Sequence, residues 1–267
     1  MDWNGVVQQS RKLGLPPIFV LRDEVQKASL ASLSRMGAFD NIVLQGGTAL
    51  RHFYASPRFS EDPDFAVREG RRFDLASRRI GLYNFLSSAF YYLEGKITVK
   101  AQKGTDDAQR LAVIIESRAL SQRLVINLEL FSVPSYCNSP KIMALPPLNP
   151  VVRVEDKEEL LADKIVAVAL RKYLKGRDIW DIYYLAAQLS ASAPANLVEK
   201  KARDYGAESF KDSVVEGGER LLRNGVGALD REMRRFLPPS AYSQLRDSFD
   251  DVVEIAAREI HRFGGDR

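Results

Sequence analysis

Asp62 and Asp64 are the residues of this 267-residue chain best placed to do chemistry. They stand two apart in RFSEDPDFAV, which reads as a strand over 58–67, so their carboxylates are expected side by side on one face. Two carboxylates so close repel unless a cation lies between them. Magnesium suits such a pair, because it takes hard oxygen ligands and leaves room for phosphate oxygens. The same residues also suit a solvated acidic turn with Glu61 as a third surface charge. Upstream stands Gly46-Gly47-Thr48, between a short apolar strand at 41–45 and a short helix at 48–56, with Thr48 as its N-cap. Glycines let an anion approach the main chain, and a helix start offers free N–H donors and a favourable dipole. A bare double glycine is more often an ordinary turn.

A third carboxylate would complete a two-metal site, and Glu129 is the candidate. In RLVINLELF, Leu124, Ile126, Leu128 and Leu130 share one face of a strand, and Val125, Asn127, Glu129 and Phe131 the other. An edge strand with a wet face would explain the same glutamate, and Asn127 is the alternative neighbour of the aspartates. A second constellation lies in KIVAVALRKYLKGRDIWDIYYL. Lys164 and Arg171 are seven residues apart, about two helical turns, and so share a face. Arg177, Asp178 and Asp181 open the next helix, where the two aspartates are surface neighbours. Lys164 and Arg171 suit a triphosphate, with Asp178 or Asp181 orienting them or acting as base. Solvated helix faces or intramolecular ion pairs account for the same charges.

Composition narrows the chemistry further. The chain has one cysteine, Cys137, and two histidines, His52 and His261, so serine or cysteine triads and His-rich metal sites are disfavoured. A net charge of +4 permits a nucleic-acid or nucleotide partner without requiring one. No signal peptide or membrane span is expected, and the setting is read as cytoplasmic. Basic clusters at 68–72, 78–79, 200–203 and 231–235 suit solvated helix faces or a phosphate backbone.

These residues need positioning elements. A helix is expected at 18–36 after Pro16-Pro17, and a second, with aromatics on its buried side, at 72–93. Strand-like runs follow at 96–101, 110–115 and 123–131, with a hairpin-type turn in the KGTDDAQ segment from Lys103. A proline-rich stretch, 134–150, then marks a boundary. Beyond it the pattern is helical, at 155–174, 177–189, 194–204, 208–223, 227–236 and 240–262. The expected division is an α/β domain over 1–148 and a helical domain over 149–267 that contributes Lys, Arg and Asp to the site.

Together the two constellations resemble the AbiEii/AbiGii-type nucleotidyltransferases, toxins of type IV toxin–antitoxin systems. The first motif matches at Gly46, Gly47, Thr48, Ala49 and Leu50, followed by Arg58, Ser60, Asp62 and Asp64. The later one matches at Lys164, Arg171, Arg177, Asp178 and Asp181. The resemblance implies an α+β fold, with a polymerase-beta-like mixed sheet and a C-terminal helical domain. It also implies NTP as substrate, Mg2+ at Asp62, Asp64 and Glu129, and catalytic roles for Asp62, Asp64, Lys164 and Asp181. Gly46, Gly47, Thr48, Arg58, Ser60, Arg171, Arg177 and Asp178 would hold the nucleotide. An RNA (tRNA) or protein would accept the nucleotidyl group, and a cognate antitoxin would be the partner. A degenerate binding protein on the same scaffold, or an antibiotic-type small-molecule nucleotidyltransferase, is the alternative. Pro63 departs from the family pattern, since proline removes a ladder donor and suits an edge or bulge.

Overall fold

A computed structural model describes residues 1–105 and 108–264, and side chains at all of these except 103–105. The chain divides into two compact units, Met1–Glu155 and Asp156–Arg267. In the first, α1 (Trp3–Leu13) starts at an Asp2 cap, whose carboxylate accepts the Gly5 N–H at 2.8 Å. Helix α2 (Pro17–Arg35) follows, with Leu21, Val25, Leu30 and Leu33 wholly buried. Strand β1 (Ile42–Gln45) is buried throughout and runs into α3 (Gly46–Phe53). Then come β2 (Asp64–Arg68), α4 (Arg79–Ala89), β3 (Lys96–Thr105), β4 (Ala108–Glu116), β5 (Leu124–Ser135), β6 (Asn138–Ile142) and β7 (Val151–Glu155).

The seven strands form one sheet in the order β3-β4-β5-β2-β1-β7-β6. It is mixed: β2 lies parallel to β5 and β1 parallel to β7, while the other neighbours are antiparallel. Two of these strands lie within or just after the proline-rich stretch. Pro140 is tolerated in β6 because that strand lies at the sheet edge, where a missing donor costs no ladder bond. The part of the KGTDDAQ turn at 106–107 lies outside the described residues. The second long helix is shorter than its apolar pattern suggests. Leu82 and Leu86 fill its buried side, while the aromatic Tyr83 is 44% exposed.

Strand β2 begins at Asp64, not at Arg58. Residues 58–63 form an irregular loop, because Pro63 has no N–H to give to a ladder. Its carbonyl instead accepts the Glu129 N–H at 3.0 Å. β5 is an internal strand, with its alternation as expected: Leu124, Ile126, Leu128 and Leu130 are buried, and Asn127 and Glu129 lie on the partly open face.

The second unit is helical: α5 (Lys157–Leu170), α6 (Gly176–Tyr183) continuing as a π-turn at Tyr184–Gln188, α7 (Ala195–Asp204), α8 (Phe210–Phe236), α9 (Pro239–Leu245) and α10 (Phe249–His261). α8 is one helix where two were expected. Its glycines act as close-packing positions, not breaks: a Cβ at Gly217 would meet the Ala169 Cα of α5 at 3.1 Å. The tightest approach is at Gly176, where a Cβ would stand 2.2 Å from the Ala228 carbonyl oxygen of α8. Backbone cannot yield as a side chain would. Gly176→Ala is expected to destabilise the helical unit by about 3 kcal/mol, read as a lowered denaturant midpoint with unchanged m-value.

Candidate active site

The antiparallel register of β1 and β2 sets Asp64 opposite Gln45, directly beside the glycine turn. Gly46 has φ +69°, a left-handed conformation that favours glycine. A Cβ there would also stand 3.2 Å from Asp64 Oδ2, so this glycine keeps the space beside the carboxylate open. On the other side of β2, Asp64 is level with Glu129 of β5. Glu129 Oε1 in turn lies 2.8 Å from the Arg110 guanidinium on β4.

Asp62 is held differently from the strand geometry expected for it. It precedes β2, and its Oδ1 accepts the Asn127 N–H at 2.7 Å, while the Asn127 side-chain amide lies 3.4 Å from Oδ2. The Asp62 carboxylate thus occupies a ladder position that a strand carbonyl would have taken. Burial raises its pKa above the ordinary aspartate value, and the Asn127 donors and the nearby Arg22 charge oppose that rise. Asp62, Asp64 and Glu129 do not each bring an oxygen within 4.8 Å of the others to form a ready three-ligand cluster among the described residues.

The polar residues around the turn face inward. Thr48 is fully buried, and its hydroxyl lies 3.0 Å from Ser60 Oγ and donates to the Asp62 carbonyl at 2.8 Å. Arg58 is also buried, and its guanidinium lies flush on the second glycine, since a Cβ at Gly47 would be 2.6 Å from it. Thr48, Arg58 and Ser60 therefore bind the loop to the turn. Gly46 and Gly47 are the members of the motif with main chain at the helix start.

Behind the loop sits a set of polar side chains that the sequence reading passed over. Arg51 of α3 pairs with Asp23 of α2 at 3.1 Å, donates to the Ser56 and Pro57 carbonyls, each at 3.3 Å, and stacks 4.0 Å over the Phe59 ring. Gln26 of α2 donates to the Ser60 carbonyl at 3.1 Å and the Glu61 carbonyl at 2.9 Å. His52 Nε2 lies 3.2 Å from the Gln26 side-chain oxygen. The available signal was a helix with Asp23 and Gln26 at positions its apolar neighbours place inside.

Withdrawal of the His52 ring from water lowers its pKa to about 4, with Lys27 and Arg51 adding to the effect and Asp23 opposing it. An unfolded histidine titrates near 6.5, so between these values the unfolded chain binds the extra proton. The contribution of this group to stability is therefore complete above about pH 6.5 and is lost as pH falls through 4. The full change is about 3 kcal/mol from the size of the shift. Unfolding free energies of the wild type and of His52→Gln, measured from pH 7 to pH 4, should show the wild type falling more steeply. Parallel curves would contradict the assignment.

In the helical unit, Lys164 Nζ lies 2.9 Å from Asp178 Oδ1 and 2.9 Å from Asp181 Oδ2. Arg171 donates to the other Asp178 oxygen. Burial acts to raise the Asp178 pKa, but Lys164 and Arg171 outweigh it and bring the carboxyl to about 2. Lys164, Arg171, Asp178 and Asp181 are thus one ion-pair cluster. Arg177 has its Nε 3.2 Å from Glu232 and its guanidinium 4.9 Å from the Phe236 ring centroid, both on α8. The basic run at 200–203 is likewise not a uniform solvated face. Lys201 is wholly buried, 2.7 Å from Glu159 and 3.1 Å from Asp163.

A mixed sheet with a glycine turn between its first strand and a short helix, and an aspartate opposite the turn on the next strand, is the framework of a nucleotidyltransferase. Matched over residues 28–255 by the model for the nucleotidyl transferase AbiEii toxins of type IV toxin–antitoxin systems, the chain belongs to that family. Two solved structures share its fold. JHP933 from Helicobacter pylori is 17% identical, with 92% of each chain covered and a TM-score of 0.56. A second H. pylori protein, a nucleotidyltransferase by name, is 18% identical, with 94% of this chain and 97% of that one covered and a TM-score of 0.57. No curated protein matches the chain. Among the described residues, no helix is long and apolar enough to cross a membrane.

Proposed function

We propose that this nucleotidyltransferase moves a nucleotidyl group from an NTP to an RNA acceptor, with tRNA the leading candidate, and that Asp62 and Asp64 are its catalytic carboxylates. The observation that carries the reading is the position of Asp64, opposite Gln45 and against a left-handed Gly46 whose missing side chain leaves its oxygen accessible. The donor set fits a divalent cation. Two carboxylates beside an open turn supply the hard oxygens that Mg2+ takes. A bound ion would supply charge neutralisation for the phosphates and activation of the acceptor hydroxyl.

The chain's own groups do the rest. The main-chain N–H groups of the Gly46–Gly47 helix start suit a phosphate anion. Thr48, Arg58 and Ser60 fix the loop so that Asp62 stays on the Asn127 donors. Glu129, ion-paired with Arg110, supports the neighbouring strand position more directly than it offers a ligand. In the helical unit, taken by itself, Asp178 and Asp181 orient Lys164 and Arg171, whose positive charge suits phosphate oxygens. Membership of a type IV toxin–antitoxin family supports the reading that the enzyme is the toxin of a pair, with an antitoxin as partner.

Incubation with each α-labelled NTP, Mg2+ and separate pools of tRNA, protein and small hydroxylated compounds tests this. Label on RNA is expected. Label on the small compounds alone would favour an antibiotic-type acceptor, and NTP binding without any transfer would show a degenerate site.

A further inference from the structure

We infer that Gln26, on a helix that carries none of the motif, is a positioning residue for the Asp62 carboxylate. The inference rests on the reading that Asp62 and Asp64 form the reacting site. The loop from Ser56 to Pro63 belongs to no strand, and of its carbonyls Pro63 alone is described as meeting a strand N–H, that of Glu129. Buried carbonyls need donors, and in this loop nearly all of them come from side chains. Arg51 takes Ser56 and Pro57, Gln26 takes Ser60 and, with Arg22 at 3.3 Å, Glu61, and Thr48 takes Asp62. Gln26 holds the two carbonyls immediately before the catalytic aspartate, and it is wholly buried.

An amide can face either way, and only one orientation works here. Its NH2 must face Ser60 and Glu61, because a carbonyl oxygen there would meet two others. That orientation turns the Gln26 oxygen toward His52 Nε2, 3.2 Å away, where the Nε2–H tautomer donates to it. The chain of contacts therefore runs from His52 to Gln26, to the Ser60 and Glu61 carbonyls, and on to Asp62, whose oxygen then meets the Asn127 N–H at 2.7 Å. Releasing the loop at Gln26 frees the carboxylate to leave that donor while β2 and β5 stay paired beyond it.

The test reads Asp62 directly through amide hydrogen exchange, resolved by residue, in the wild type and Gln26→Met. The Asn127 N–H is protected by Asp62 Oδ1, whereas the Ile126 and Leu128 N–H groups point to β4 by strand alternation. Gln26→Met is expected to speed exchange at Asn127 by about tenfold or more, and to leave Ile126 and Leu128 unchanged. Gln26→Asn keeps a polar group but is one methylene too short to hold both carbonyls. It should act in the same direction and serves if the methionine variant does not fold. In transfer assays both variants should lower kcat by about tenfold, with KM for NTP little changed. Unchanged exchange at Asn127 in a folded variant would overturn the inference. That result is legible even if the wild type transfers nothing, an outcome that would count against the proposed function instead.

Discussion

Asp64→Asn is expected to lower nucleotidyl transfer by about a thousandfold or more while leaving the protein folded. The substitution keeps the size of the side chain and removes one charge from the position facing the glycine turn. Gln45 pairs with Asp64 through the backbone, and Gly46 leaves room for either side chain. The loss belongs to the chemistry. About 4 kcal/mol of transition-state stabilisation disappears when a carboxylate that carries a divalent ion is neutralised, and each 1.4 kcal/mol or so is tenfold in rate. Thermal unfolding of the variant should match the wild type, and exchange at Asn127 should be unaltered, because that amide bonds to Asp62. A variant with near-normal transfer would remove Asp64 from the site.

Lys201→Met should have the largest effect on stability, a loss of about 3–5 kcal/mol. Lys201 has no exposed surface, and its partner Glu159 has none either. Ammonium and carboxylates sit at 2.7 and 3.1 Å, so these buried charges compensate one another. Removing the lysine leaves the Glu159 carboxylate, which has no exposed surface, without this ammonium, and Asp163 beside it likewise. They must then stay charged without their partner or take up protons. The double variant Lys201→Met with Glu159→Gln should recover part of the loss, because the worst uncompensated charge is gone. Denaturant unfolding of the single and double variants separates the two. Equal destabilisation in both would mean that packing, and not charge, sets the cost.

The glycine turn and its neighbours were readable because local rules fix them. An apolar run, two glycines and a short amphipathic stretch admit few conformations, and β1 with α3 is one of them. RFSEDPDF misled for an equally local reason. Its alternation suits a strand, but Pro63 ends the ladder, and long-range donors from Gln26, Arg51 and Asn127 stabilise an irregular loop instead. Those partners lie up to 65 residues away along the chain, beyond the reach of spacing rules. Lys201 shows the same limit. Between Lys200 and Arg203 it looks like one charge of a solvated face, and only the packing of α7 on α5 puts it inside, against Glu159. Arg177 fits the motif by spacing, yet Glu232 and Phe236 on α8 hold its side chain. Helical periodicity does set Asp178 beside Asp181, and ion pairs were among the readings weighed for these charges, but it is the packing of α6 on α5 that brings both to Lys164.

Parallel reactions with α-labelled and γ-labelled NTP, run with Mg2+ and a tRNA pool, test the central claim most directly. Attack at the α-phosphorus transfers the α-label to RNA and releases the γ-label in pyrophosphate. The site built on Asp62, Asp64 and the Gly46 turn predicts RNA that carries the α-label alone. RNA that carries the γ-label, or no labelled acceptor at all from folded wild-type protein, would contradict it.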